Sequence, residues 1–143
     1  MLVSHILRSK ENRVHWLEQH ASVADATAAL AKAGIGALLV MENGKRLVGI
    51  VSERDIVRAL AKGGAAEMPT AIASLMSREV VCCSPDDTVD HVMDTMTQRR
   101  IRHLPVLASG RVVGVVSIGD VVKALIDEAR READDLKRYI AAG

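Results

Sequence analysis

The chain has 143 residues, 49% of them hydrophobic and 26% charged, with 19 Lys or Arg against 18 Asp or Glu for a net charge of +1. This balance excludes a broad basic surface for nucleic acid, and the apolar content predicts a packed core in one compact domain or two small fused units. No apolar run reaches membrane-spanning length and no signal peptide stands at the start, so a soluble, cytoplasmic protein is expected.

The chain opens on a lead-in segment. A first strand is expected around "RVHWL", residues 13–17. Ser22 then suits an N-cap, and Asp25 completes a capping box with it. Val23, Ala26, Leu30 and Ala33 recur at helical spacing, and Gly34 suits the helix end. The short apolar run "ALLVM" predicts a strand, "ENGK" a tight turn that tolerates positive φ, and "LVGIVS" the returning strand. A helix follows. The stretch "KGGAAEMPTA", residues 62–71, carries Gly63, Gly64 and Pro69 and reads as the joint between two units, 1–68 and 69–143.

The second half repeats the order. A strand is expected around "EVVCC", residues 79–83. Its adjacent Cys82 and Cys83 point to opposite faces, one buried and one less so, and are reduced. Thr88 caps a helix whose apolar positions are Val89, Val92, Met93 and Met96. "HLPVL" is the middle strand. Its Pro105 lacks a donor and marks a strand edge, a ligand-facing stretch or a packing position. "ASGR" turns the chain into "VVGVVS", and a long final helix follows. Its Asp134 and Arg138 stand at i, i+4 spacing on a solvated face. Its apolar stripe, Val121, Leu125, Ile126, Leu136, Tyr139 and Ile140, is longer than one small unit needs and suits packing on a second subunit.

Residues 22–55 and 88–120 are thus two copies in one register up to the hairpin turn, after which the first copy carries one extra residue near Arg46. Each copy closes on the same line: "GIVSERDIVRAL" from Gly49 and "GVVSIGDVVKAL" from Gly114. Two readings of the doubled Ser-x-x-Asp stand side by side. Ser52 with Asp55, and Ser117 with Asp120, are capping boxes at strand-to-helix junctions. The same geometry offers free N–H groups, a hydroxyl and the Arg54 guanidinium to a phosphate, and a carboxylate to the two hydroxyls of a ribose. With one Trp, one Tyr and no Phe, the base of such a ligand would lie between aliphatic side chains such as Ile50 or Val115.

These stretches, with "IGALLVM", "IRHLPVL" and "SLMSREVVCC", resemble a tandem pair of cystathionine-β-synthase (CBS) domains, a Bateman module, over most of the chain. The resemblance implies an α/β (α+β) fold of two β-α-β-β-α units related by pseudo-twofold symmetry, with small mixed sheets packed together and two clefts between the units. It implies adenosine-containing ligands in those clefts: AMP foremost, with ADP, ATP, S-adenosylmethionine or NAD(H) as alternatives. It places the ribose-binding aspartate at Asp55 and Asp120 and the phosphate-side serine at Ser52 and Ser117. The aliphatic against the base falls on Ile50 and Val115. The residues flanking it fall on Ile35 and Gly36 in one copy and on Ile101, Arg102 and His103 in the other. His15 and Val81 form a wall from the first strands.

The copies differ. Arg54 corresponds to Gly119, so the two sites are expected to be unequal. The repeats leave no room for a catalytic domain, and His5, His15, His20, His91 and His103 form no H-x-x-x-H pair. The reading is a stand-alone, non-enzymatic regulatory module, a homodimer acting on a partner protein in trans. Its alternative is a purely structural dimerisation module with vestigial clefts.

Overall fold

In chain order the elements are α1 (Val3–Ser9), β1 (Trp16–Glu18), α2 (Val23–Ala33), β2 (Ala37–Glu42), β3 (Arg46–Ser52), α3 (Glu53–Gly63), α4 (Val89–Arg99), β4 (His103–Ala108), β5 (Arg111–Ser117) and α5 (Ile118–Ala142). They are seen in a computed structural model that describes residues 1–10 and 13–142. Two short 3₁₀ turns, Gly64–Glu67 and Ile72–Ser74, follow α3.

The expected caps form. Ser22 accepts the N–H of Asp25 while Asp25 accepts that of Ser22, and Thr88 accepts the N–H of His91. Gly34 closes α2 in the left-handed conformation. Its counterpart closing α4 is Arg100, at φ 54°, where a side chain is disfavoured and no sequence signal marks the stop. Both hairpins turn through paired positive φ values, at Asn43-Gly44 and at Ser109-Gly110. The extra residue of the first copy is Lys45: Glu42 pairs with Arg46 across three loop residues, whereas Ala108 pairs with Arg111 across two. Each returning strand also bulges at the same place, between the partners of Val40 and Met41 and between those of Val106 and Leu107.

The chain divides into two units, Arg13–Val81 on one side and Met1–Asn12 with Cys82–Gly143 on the other. This differs from a division at 68/69. The chain beyond 62–71 is strapped across the first repeat. Ile72 donates to the Ala21 carbonyl and Ala73 to that of Gln19, while Val23 and Ala24 at the start of α2 donate to Thr70 and Met68. Those bonds satisfy helix N–H groups that lack intrahelical partners. Ile72 is fully buried with Val23, Ala26, Leu38, Val40 and Val51, and Met76 joins them.

The lead-in does the same for the second repeat. Val3 donates to Asp87 and Val89 donates to Met1. Val3 is fully buried, and Ile6 and Leu7 nearly so, alongside Val89, Val92, Met96, Leu104, Val106 and Val116. Each lead-in therefore completes the core of the other repeat. Three or four apolar side chains on one face of each lead-in drive this packing.

The sheets are small and mixed. In the first unit β1 runs parallel to β2, and β2 antiparallel to β3. The first strand starts later than expected, at Trp16. In the second unit β4 and β5 pair antiparallel, and "EVVCC" is no strand: only Cys83 bridges, in parallel, to Val106. Pro105 is the reason. Leu39 donates to the His15 carbonyl to open the β1–β2 ladder, but Pro105, in the equivalent position, has no N–H to donate. Pairing survives one step on, where Cys83 donates to Pro105 and Leu107 donates back to Cys83.

Candidate functional site

The two Ser-x-x-Asp motifs stand where a returning strand becomes a helix. Ala37 lies opposite Ser52 and His103 opposite Ser117. The residues opening the middle strand are tied to the start of the motif helix: Glu53 donates to the Gly36 carbonyl at 3.0 Å and Ile118 to the Arg102 carbonyl at 2.8 Å. Ile35 and Ile101 are fixed by bonds back to Leu30 and Met96. Ile50 faces Leu39 across the first hairpin, and Val115 faces Pro105 across the second. Each unit thus gathers its own set at one end: Ile35, Gly36, Ile50, Ser52, Arg54 and Asp55 in the first; Ile101, Arg102, His103, Val115, Ser117 and Asp120 in the second.

His15 and Val81 stand one strand position further out. The His15 carbonyl holds Leu39, and Val81 precedes the Cys83 bridge. Trp16 on β1 is 43% exposed, and its ring lies over Gly44, at the hairpin turn rather than at the Ser52 end.

Both motifs are capping boxes, so that reading is realised. Ser52 N–H donates to Asp55 Oδ2 at 2.8 Å, the Ser52 hydroxyl donates to the same oxygen at 3.1 Å, and Asp55 N–H donates to Ser52 Oγ at 3.3 Å. Ser117 and Asp120 repeat the reciprocal pair at 2.9 Å and 3.1 Å. Capping engages one carboxylate oxygen of each aspartate. Among the described residues the other oxygen, Oδ1, of Asp55 and of Asp120 has no hydrogen-bond partner, because Lys10 shares Oδ2 of Asp120 with the cap, and an aspartate can accept more than capping requires.

Charge separates the two motifs. Arg54 is exposed on the first turn of α3 and enters no ion pair among the described residues. Gly119 replaces it in the second unit. There a cation arrives from elsewhere: Lys10 Nζ lies 2.7 Å from Asp120 Oδ2 and 2.9 Å from the Val115 carbonyl oxygen. Burial raises the Asp120 pKa, but the Lys10 hydrogen bond, the Ser117 backbone bond, the Lys10 charge and the Ser117 hydroxyl outweigh it. The net effect holds Asp120 below the usual carboxylate value. Lys10 is absent from the sequence-derived set. Aligning "MLVSHILRSK" with "TAIASLMSRE" would have shown it as a base where the other lead-in has Glu79.

Buried Cys83 and half-buried Cys82 are thiols that take part in no disulfide. Burial, Asp87 and Cys82 push Cys83 up to about 12, which leaves it unreactive as a nucleophile. No group of three metal-ligating side chains gathers among the described residues, and no helix there is long and apolar enough to cross a membrane.

A family model described as "CBS domain" matches residues 3–62 and again 72–127. The chain belongs to the CBS domain family. Its CBS relatives include the "CBS domain-containing protein CBSX3, mitochondrial" of Arabidopsis thaliana, 34% identical over 99% of this chain and 72% of that protein. Among solved structures, the CBS domain pair of protein MJ0100, in complex with 5′-methylthioadenosine and S-adenosyl-L-methionine, matches with a TM-score of 0.79 at 29% identity, over 90% of this chain and 98% of the other. A CBS domain protein from Pyrobaculum aerophilum complexed with AMP matches with a TM-score of 0.75 at 29% identity, over 84% and 89%.

Proposed function

We propose that this CBS pair is a non-enzymatic regulatory module that binds an adenosine-containing ligand at its Ser-x-x-Asp motifs and acts on a partner protein in trans. AMP is the foremost candidate, with ATP, ADP or NAD(H) as alternatives. The observation that carries the reading is the division of labour at Asp55: one carboxylate oxygen closes the cap, and the other has no hydrogen-bond partner among the described residues. Ile50, Gly36 and Arg54, which enters no ion pair among the described residues, belong to the same end of the unit. That set offers an acceptor for a ribose diol, an aliphatic surface for a base and a cation for phosphate. The AMP and S-adenosyl-L-methionine complexes of the two CBS relatives support this ligand class.

In this reading Asp55 and Asp120 hold ribose, Ser52, Ser117 and Arg54 face phosphate, and Ile50 and Val115 pack on the base. Ile35, Ile101, Arg102 and His103 flank the base, and His15 and Val81 form the outer wall. The module is a homodimer joined through α3 and α5, whose exposed Val57, Val122 and Ile126 would otherwise face water.

The completed capping boxes favour a second reading, a structural dimerisation module, and calorimetry separates the two. Asp55→Asn keeps a capping oxygen but loses the charge. A hydrogen bond to a charged group contributes about 1.5–3 kcal/mol, so AMP affinity at that motif should fall roughly ten- to a hundredfold, with the ligand-free melting temperature little changed. Unchanged affinity and stoichiometry in Asp55→Asn and Asp120→Asn alike would return both motifs to capping alone.

A further inference from the structure

The lead-ins occupy equivalent places in the two units but end differently. In the first unit Ser77 pairs with Ile50 through both backbone bonds, N–H to carbonyl each way, at 2.9 and 3.0 Å. Met76 meanwhile packs over Gly49. In the second unit Leu7 packs over Gly114 in the same manner, but the lead-in is helical through Ser9 and among the described residues forms no such backbone pair with β5. The Val115 carbonyl, counterpart of that of Ile50, takes its hydrogen bond from the Lys10 ammonium instead, and the same ammonium pairs with Asp120. Position 10 corresponds to Glu79, an exposed acid that could not pair with Asp55. The side chains of Lys10 and Asp120 are 33% and 25% exposed, so the pair is partly withdrawn from solvent and screened less than a surface pair.

We infer that Lys10 is a tethered competitor built into the second motif: its ammonium spans the Val115 backbone carbonyl and Asp120 Oδ2, the capping oxygen, and so places a cation beside the strand residue and the carboxylate against which a nucleoside would lie. The inference rests on the nucleotide-binding reading of Asp120. Ligand enters the second motif only after Lys10 swings away, and that displacement makes it the weaker site. The first motif, with no such cation on Asp55, fills first. A site free for only a fraction of the time binds with an affinity reduced by that fraction, so a pair closed about nine-tenths of the time weakens binding about tenfold.

The test uses adenosine, whose diol and base are present but whose missing phosphate removes any attraction to Lys10. Calorimetric titrations compare the full-length protein with Lys10→Met, Asp55→Asn and the double variant. In the Asp55→Asn background the remaining event reports the second motif. Adding Lys10→Met should strengthen that event about tenfold and leave the first motif, measured in the single Lys10→Met variant, within about twofold. Raising salt from 0.05 to 1 M should strengthen adenosine binding at the second motif of the native protein and not of Lys10→Met. Lys10→Gln, which can still donate to the Val115 carbonyl, replaces the methionine variant if that one melts early. An Asp120 event that is unchanged or weakened without Lys10 overturns the competitor while leaving the Asp55 event, and the proposed function, intact. Absence of adenosine and AMP binding at both motifs in every variant overturns both.

Discussion

Asp55 and Asp120 show how one residue type in one local geometry comes to differ. Both close a capping box, but among the described residues Asp120 also carries a lysine and Asp55 does not. The lowered pKa of Asp120 fixes the direction of a pH effect. A carboxylate with a depressed folded value contributes stability above its unfolded value, near pH 4, and that contribution is lost as pH falls through the folded value. Native protein should therefore exceed Asp120→Asn in stability by about 1 kcal/mol at pH 7, the upper end for a partly exposed pair. The difference should close below about pH 4. Urea unfolding at pH 7, 5 and 3 measures it; a gap that widens in acid would refute the assignment. The pairing of Ser with Asp was legible in the sequence because it is local, three residues apart. The Lys10 contact was not, since it joins positions 110 apart and depends on where the lead-in lands.

At the scale of elements, each lead-in is fastened against a glycine of the returning strand. A Cβ on Gly49 would stand 2.5 Å from Met76 Sδ, 2.9 Å from its Cγ and 3.0 Å from the Ser77 carbonyl oxygen. A Cβ on Gly114 would meet only the flexible end of Leu7, at 2.7 Å. Overpacking of this kind costs about 1–3 kcal/mol. Gly49→Ala should lie at the upper end, because the Ser77 backbone is fixed by its pair with Ile50 and cannot retreat. Gly114→Ala should lie at the lower end. Chemical denaturation of the two variants gives the comparison, and equal losses would show that Met76 yields as readily as Leu7. Pro105 works at the same scale: a single missing N–H shortens one sheet from three strands to two plus a bridge. The sequence marked Pro105 as special, and in the fold it faces Val115 and accepts a hydrogen bond from Cys83.

At the scale of the molecule, α5 runs from Ile118 to Ala142 and leaves Ile126 46%, Leu136 60%, Tyr139 79% and Ile140 69% exposed. With Val57 on α3, 64% exposed, these side chains form the faces proposed for a twofold contact. Light scattering at tens of micromolar should give twice the chain mass, and Val57→Asp with Ile126→Asp should return the mass of one chain while each unit stays folded by circular dichroism. A native protein of single-chain mass would remove the dimer.

The amino-acid sequence by itself determined the order of elements, the caps at Ser22 and Thr88, the turns at Asn43-Gly44 and Ser109-Gly110, the doubled motif and the CBS relationship. Each rests on residues within a few positions of one another, or on the plain comparison of one half of the chain with the other. Only the tertiary structure decided which repeat each lead-in completes, because Val3 and Ile72 are equally apolar and either core could bury them. It likewise decided that "EVVCC" makes one bridge rather than a strand, because that depends on the neighbour's missing donor. And it decided that Asp120 has a cation while Asp55 has none among the described residues, because a side-chain ammonium can replace a backbone N–H at β5 only where α1 carries Lys10 to it.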